Sequence, residues 1–201
     1  VLTAAGEACC GSLNLHLGDE AGARAQMRHN VDVLWPLLGE LDAVLSTASG
    51  CGVTYKDYGR LLADDADYAD KAAALSAKVL DVAEFCEREE LQFDRAADVE
   101  RVAWQAPCTL QHGQQVNGTV ERLLERAGYA LVDVADGHLC CGSAGTYSVL
   151  QPDLSERLRD AKLNALCANT PDVIATANVG CQTHLASASG IPVRHWVELL
   201  R

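Results

Sequence analysis

Two adjacent pairs of cysteines, each followed by glycine, are the residues best suited to chemistry in this sequence. They lie in "ACCGSLN" at 8–14 and in "LCCGSAG" at 139–145. Thiolates are soft ligands for zinc and for iron–sulfur clusters, and thiols also exchange with disulfides. Neighbouring side chains diverge, so an adjacent pair suits a cluster, where each thiolate meets a different iron, better than one tetrahedral ion. The pairs therefore favour an iron–sulfur cluster and leave zinc open.

A later cysteine follows each pair at nearly the same distance. "DAVLSTASGC" at 42–51 parallels "DVIATANVGC" at 172–181, and each begins with aspartate and ends in Gly-Cys. Arg28 and Arg159 each stand 18 residues after the second cysteine of their pair. We therefore predict that the chain contains two copies of one unit, offset by about 130 residues.

The second copy has one more cysteine upstream. Cys108 ends the apolar segment "RVAWQAPC" and precedes Cys140 by 32 residues. The first copy has no equivalent, so we expect that copy to be truncated at its N-terminus. The candidate ligands are a first cysteine group, Cys9, Cys10 and Cys51, and a second cysteine group, Cys108, Cys140, Cys141 and Cys181.

Other cysteines and histidines near these groups have weaker patterns. Cys86 and Cys167 lie in helical segments without a counterpart in the other copy, so we expect them to be small buried hydrophobes. His184 follows Cys181 by three residues, a spacing that allows metal ligation, although a helix cap or a surface residue is the simpler interpretation. His112, four residues after Cys108, is a candidate hydrogen-bond donor to a thiolate.

The elements that must position these thiols follow from hydrophobic periodicity. Short apolar or β-branched segments predict strands at 43–48, 101–106, 130–135, 173–178 and 192–195. Helical spacing predicts helices at about 19–38, 69–91, 112–128, 153–168 and 182–189. Strands that alternate with helices indicate a parallel α/β fold, whose sites form where the carboxyl ends of the strands share an edge.

The domain organisation follows from the repeat and from two breaks in the periodicity. The polar segment 64–72 is predicted to be a loop or linker, and the pattern breaks again at 91–100. We therefore predict domains at 1–91 and 92–201.

Composition excludes several classes of partner. The 201 residues carry a net charge of −12, which argues against nucleic acid and against direct binding to anionic lipid. No apolar run approaches the ~20 residues that a membrane span requires. An odd number of cysteines in a chain of this size disfavours a disulfide framework, so we expect a protein of the cytoplasm, or one peripheral to the inner face of a membrane.

The cysteine pattern resembles the cysteine-rich "CCG" domain, which occurs as a tandem pair in heterodisulfide reductases and in related electron-transfer proteins. Within that family, "CCGSAGTYSVLQPDLSERLRDAKLNAL", "IATANVGCQTHL" and "PVRHWVELL" are most similar to iron–sulfur subunits of glycolate oxidases. The resemblance implies two related domains, each a small, mostly parallel sheet flanked by helices. It also implies that the two cysteine groups hold the redox centre, with a [4Fe–4S] cluster as the expected cofactor and zinc as the alternative.

One departure from the family pattern concerns the last ligand position. The full pattern ends in Cys-x-x-Cys, whereas this chain has Thr54 in the first copy and His184 in the second. A conventional cluster, a zinc ion and an empty site all stay open at this stage.

The resemblance implies a non-catalytic subunit of an oxidoreductase complex. Such a subunit would relay electrons from an FAD-containing dehydrogenase subunit for 2-hydroxy acids towards quinone, within a complex of further subunits. The alternative is a structural or assembly module, stabilised by zinc or thiols, that docks the catalytic subunit. Thiol–disulfide catalysis at Cys140 and Cys141 ranks third, because redox motifs usually separate their cysteines by two residues.

Overall fold

The computed structural model describes residues 1–96 and 98–201. The chain divides into two compact units, the first formed by Val1–Ser46 with Gly50–Phe85 and the second by Thr47–Ser49 with Cys86–Arg201. Each unit has a small parallel sheet flanked by helices, which confirms the predicted α/β class. The domain bounds 1–91 and 92–201 stay a prediction, because compactness measures packing and not the extent of each repeat.

The elements of the first half alternate between helices and two short strands. In chain order they are α1 (Ser12–His16), α2 (Glu20–Leu34), a 3-10 helix (Trp35–Glu40), β1 (Val44–Ser46), α3 (Ser49–Leu61), α4 (Ala69–Lys78), β2 (Val79–Asp81) and α5 (Val82–Arg88). Strands β1 and β2 pair in parallel, with Val44 opposite Val79.

Helix α2 forms the core of the first unit. The Asp19 side chain accepts a hydrogen bond from the Gly22 amide and so caps the helix. The helix buries one face at helical spacing, which follows the predicted periodicity. That face packs with the 3-10 helix, with α4 and with residues in and directly after α3. The cluster contains nine buried side chains: Ala23, Met27, Val31, Leu34, Leu38, Tyr58, Leu62, Ala72 and Leu75.

Several predicted bounds in the first half are wrong. The segment 69–91 is not one helix, because β2 interrupts it to pair with β1. Strand pairing supplies hydrogen bonds that override the helical periodicity of this segment. The helix over Ser49–Leu61 was not predicted, and α4 already begins at Ala69, inside the predicted loop.

The second half contains a four-stranded sheet. Its elements are β3 (Arg101–Gln105), a π-helical turn (Thr109–Gly113), α6 (Thr119–Arg126), β4 (Ala130–Leu131), α7 (Tyr147–Leu150), α8 (Pro152–Cys167), β5 (Val173–Thr176), α9 (Val179–Ala186), β6 (Val193–His195) and a 3-10 helix (Trp196–Leu199). The order is β4-β3-β5-β6 with every pair parallel. The predicted helix at 112–128 is shortened at its start, because Gly118 adopts a left-handed φ of 72° before α6.

The centre of this sheet is buried on both faces. All four residues of β5 are buried, as are the last four of β3. Such burial is expected of central parallel strands covered by helices. The core beside them contains two of the predicted ligands, and its buried members are Ala103, Cys141, Leu163, Leu166, Ile174, Cys181 and Leu185.

Helix length and apolar character decide whether a segment could cross a bilayer. No helix within residues 1–96 and 98–201 combines the length and the apolar character that such a crossing requires.

Candidate thiol-ligand sites

The four thiols of the second cysteine group come from three places along the chain. Cys108 follows β3 by three residues, and Cys181 lies in the first turn of α9, just after β5. Because β3 and β5 are parallel neighbours, their carboxyl ends share one edge of the sheet. Cys140 and Cys141 reach that edge from the loop between β4 and α7.

These thiols form a row of pairwise contacts. The Sγ atoms of Cys141 and Cys181 are 2.9 Å apart. The Cys140 thiol is hydrogen-bonded to those of Cys108 and Cys141. All nine cysteines carry free thiols. The structure therefore brings together the four cysteines that spacing had selected, in the order 108–140–141–181.

The thiols of the row differ in how readily they lose a proton. Hydrogen bonds from the Cys108 and Cys141 thiols lower the pKa of Cys140. The same contacts, together with burial, raise the pKa of Cys108 and of Cys141. Thiolates this close repel one another, so a fully ionised row requires a cationic group between its members.

The four thiols of the second cysteine group suit a cluster better than a single metal ion. Within residues 1–96 and 98–201, no group of three or more His, Cys, Asp or Glu side chains is arranged to hold one metal ion. A row of four thiols is a donor set that an iron–sulfur cluster can use, since each thiolate can ligate a different iron. The chemistry of this donor set therefore suits an iron–sulfur group.

The glycine after the second cysteine pair allows the loop to approach α8 closely. Gly142 has a φ of 90°, and its carbonyl accepts a 2.8 Å hydrogen bond from the Ser155 hydroxyl. The Gly142 amide lies 3.4 Å from the Cys140 sulfur, to which it donates. A backbone donor of this kind favours the thiolate form of its partner.

The two histidines proposed from the sequence lie in different surroundings. His184 Nε2 is 3.0 Å from the Ser155 hydroxyl, so this ring packs beside the loop of the cysteine pair. His112 is exposed, within the π-helical turn that follows Cys108. Ligation by His184 and hydrogen bonding by His112 both stay predictions.

Lys162 is a charged residue at this site that sequence reasoning missed. Its side chain is fully buried on α8, and its ammonium donates a 2.7 Å hydrogen bond to the Gly137 carbonyl. Burial lowers the pKa of Lys162, whereas negative charge on the neighbouring thiols opposes that shift. Ser155 and Lys162 lie two turns apart on the buried face of α8, which the spacing of the sequence did not indicate.

The three thiols of the first cysteine group also lie close together. The Cys10 thiol contacts those of Cys51 and Cys9 and the hydroxyl of Thr54. The hydrogen bond from Cys51 lowers the pKa of Cys10 to about 6, and the same contact raises that of Cys51. Thr54, which stands where the family pattern has a cysteine, is therefore placed beside the thiols.

A buried network fixes the backbone of the first cysteine pair. The Asn30 side chain accepts from the Ala8 amide at 2.9 Å and donates to the Cys9 carbonyl at 3.0 Å. The Tyr58 hydroxyl donates to the Cys10 carbonyl at 2.8 Å and accepts from Asn30. Asn30 and Tyr58 are both fully buried, so the network is shielded from water.

The Tyr58 hydroxyl gives a direct test of this network. Tyr58→Phe should lower the free energy of unfolding by about 1–3 kcal/mol, because the buried Cys10 carbonyl and the Asn30 amide each lose a partner. Tyr68→Phe is the matched control, since its hydroxyl bonds Asp32 at an exposed position and its loss should change the free energy of unfolding far less. Urea denaturation of both variants measures the difference, and equal effects would contradict the assigned network.

Cys86 and Cys167 lie in helices, as expected. Cys86 is buried within α5, as predicted, whereas Cys167, the last residue of α8, is only half-buried. The separation of twelve positions between Ser155 and Cys167 corresponds to about 18 Å along the helix axis. Cys167 is therefore remote from the loop that Ser155 contacts.

Comparison with known proteins adds independent findings. A family model described as "CCG: Cysteine-rich domain" matches residues 1–56 and 102–186. The glycolate oxidase iron–sulfur subunit of Escherichia coli (strain K12) is 48% identical over 193 residues, covering 96% of this chain and 47% of that protein. The probable glycolate oxidase iron–sulfur subunit of Bacillus subtilis (strain 168) is 31% identical over 178 residues, covering 87% of this chain and 40% of that protein.

A third relative is covered over most of its length. Lactate utilization protein A of Bacillus licheniformis is 26% identical over 202 residues, covering 97% of this chain and 83% of that protein. By contrast, the chain spans a little under half the length of the two glycolate oxidase subunits.

Proposed function

Because this chain belongs to the family of cysteine-rich CCG domains, we propose that it is the electron-transfer part of an iron–sulfur subunit serving a glycolate (2-hydroxy-acid) oxidase. The row of four free thiols in the second cysteine group is the observation that carries the proposal. The names of the two similar iron–sulfur subunits support the same assignment.

The proposed ligands are the two cysteine groups. Cys108, Cys140, Cys141 and Cys181 would hold a [4Fe–4S] cluster, and Cys9, Cys10 and Cys51 would supply thiolates at the first site. Such a cluster takes up and releases single electrons without moving a proton or a heavy atom. His184 is retained as a further candidate ligand.

The chain's own residues would set the surroundings of that cluster. Cys141 and Cys181 are nearly inaccessible to water, so part of the site has a low dielectric. The Gly142 amide and the Lys162 ammonium bring positive charge towards the thiolates. Hydrogen bonds, net charge and solvent exposure are the properties by which proteins tune iron–sulfur potentials.

The proposal places the hydroxy-acid chemistry on a partner. An FAD-containing dehydrogenase subunit would oxidise the 2-hydroxy acid, and this chain would pass the electrons towards quinone. Association with that subunit, and with others of the complex, would hold the chain in the cytoplasm or at the inner face of the membrane.

Metal analysis after anaerobic preparation tests this function. The chain, reconstituted with iron and sulfide, should bind both, absorb in the visible range and give an electron paramagnetic resonance (EPR) signal in one of its redox states. A parallel sample with all thiols alkylated before reconstitution is the control and should bind no iron. Absence of iron from the unmodified chain would overturn the proposal.

A zinc-stabilised assembly module is the second candidate, and it requires the thiols to rearrange, since no group within the described residues is arranged to hold one ion. Cys181 and His184 lie one turn apart on α9, a spacing that zinc sites use. Stoichiometric zinc in the protein as isolated, with unfolding on chelation, would support this candidate.

A further inference from the structure

The two copies differ in charge at one buried position beneath the cysteine pair. Gly11 and Gly142 approach the backbone carbonyls of Ala23 and Ser155 in the two copies. The residues seven positions after that alanine and that serine, Asn30 and Lys162, therefore correspond. Both side chains are fully buried. The first copy therefore has a neutral amide where the second has an ammonium group.

An ammonium in this environment requires negative charge nearby. Transfer of a charged amine from water into a protein interior is unfavourable unless it is paired or hydrogen-bonded. Lys162 has the Gly137 carbonyl as an acceptor, which is neutral. Leu163, the next residue of α8, packs in one buried cluster with Cys141 and Cys181. The acidic groups that act on the Lys162 charge are Cys141, Cys181, Cys140 and Asp136. Three of these four are thiols of the second cysteine group.

We propose that Lys162 is a positioning residue whose fixed positive charge stabilises the reduced state of the iron–sulfur group at the second site. This inference rests on the proposed function. Reduction adds one electron, supplied by the partner subunit, and so adds one negative charge to the site. The nearby ammonium favours that state electrostatically, with no bond made or broken at Lys162.

A purely structural role for Lys162 makes a different prediction. Its hydrogen bond to Gly137 helps to hold the loop before the cysteine pair, and any donor of suitable length would serve that purpose. Lys162→Gln removes the charge and keeps a donor, whereas Lys162→Met removes both. Lys162→Arg keeps the charge.

The experiment is a redox titration of the reconstituted chain, monitored by EPR, on these three variants. The neutral variants Lys162→Gln and Lys162→Met should lower the ratio of reduced to oxidised second site at least tenfold at the wild-type midpoint. For a one-electron couple, a tenfold change in that ratio corresponds to a fall of about 59 mV in the midpoint potential. Lys162→Arg should stay close to wild type, as should the control Val31→Met, which exchanges one buried apolar side chain for another in the first copy.

Iron content is measured first, so that failures can be told apart. Absence of iron from the wild type overturns both the proposed function and this inference. Iron-loaded Lys162→Gln with an unchanged midpoint overturns the inference alone, and so does loss of iron in all three variants, which would indicate a structural role. Loss of iron from the neutral variants only after reduction, with retention in Lys162→Arg, supports it, because the charge is then needed to hold the more negative state. Loss of iron from the neutral variants in both redox states overturns it.

Discussion

Replacing Cys181 with serine is expected to abolish iron binding at the second site. Cys181 is buried and its sulfur lies 2.9 Å from that of Cys141, so serine removes a thiolate from the interior of the row. A hydroxyl at this position is a poor ligand for iron, since it holds its proton and is a harder donor. The iron and sulfide content of the protein should fall by the amount that the second site binds, and the EPR signal of that site should disappear.

Two further variants separate ligand loss from damage to the fold. Cys108→Ser should produce the same loss of iron, and because Cys108 is exposed it leaves the core intact. Cys167→Ser is the matched control at the far end of α8 and should retain the iron of the wild type. Full iron in Cys181→Ser, or equal losses in Cys181→Ser and Cys167→Ser, would count against the assigned ligand row.

Replacing Gly142 with alanine should destabilise the chain even when no metal or cluster is bound. A φ of 90° disfavours residues with a side chain, by about 1–2 kcal/mol in the left-handed region. A Cβ at this position would also lie 2.4 Å from the Ser155 carbonyl oxygen, which belongs to the backbone of α8 and cannot swing away. We therefore expect a loss of more than about 2 kcal/mol in the free energy of unfolding, measured by urea denaturation of the apo chain.

Two other glycines give graded comparisons for this prediction. A Cβ on Gly190 would meet no atom within 4 Å, so Gly190→Ala should change the free energy of unfolding by less than about 0.5 kcal/mol. Gly11, the counterpart in the first cysteine pair, has a φ of 87° and would meet the Ala23 carbonyl at 2.9 Å. Gly11→Ala should fall between the other two, and equal stability of Gly142→Ala and Gly190→Ala would refute the proposed close approach.

The elements that sequence reasoning predicted well are those whose local pattern agrees with their packing. Helix α8 and the buried strands β3 and β5 have clear periodicity, and they lie close to their predicted positions. Strand β2 was missed, because its three residues continue a helical pattern and become a strand only by pairing with β1. Local propensity carries no information about such a partner.

The sequence by itself determined which thiols belong together. The repeat, the spacing of the cysteines and the alternation of strands with helices place Cys108 and Cys181 at one edge of a parallel sheet. The carboxyl ends of parallel strands must share an edge, so distant residues meet there whatever the details of packing.

Only the tertiary structure decided how each side chain meets its neighbours. The order of contacts in the row, the engagement of His184 with Ser155 and the burial of Lys162 were not evident from spacing. They depend on how closely α8 packs against the loop of the cysteine pair, and that distance is set by the left-handed turn at Gly142. Spacing fixes which strand end a residue follows, whereas the packing of elements distant in sequence fixes what its side chain touches.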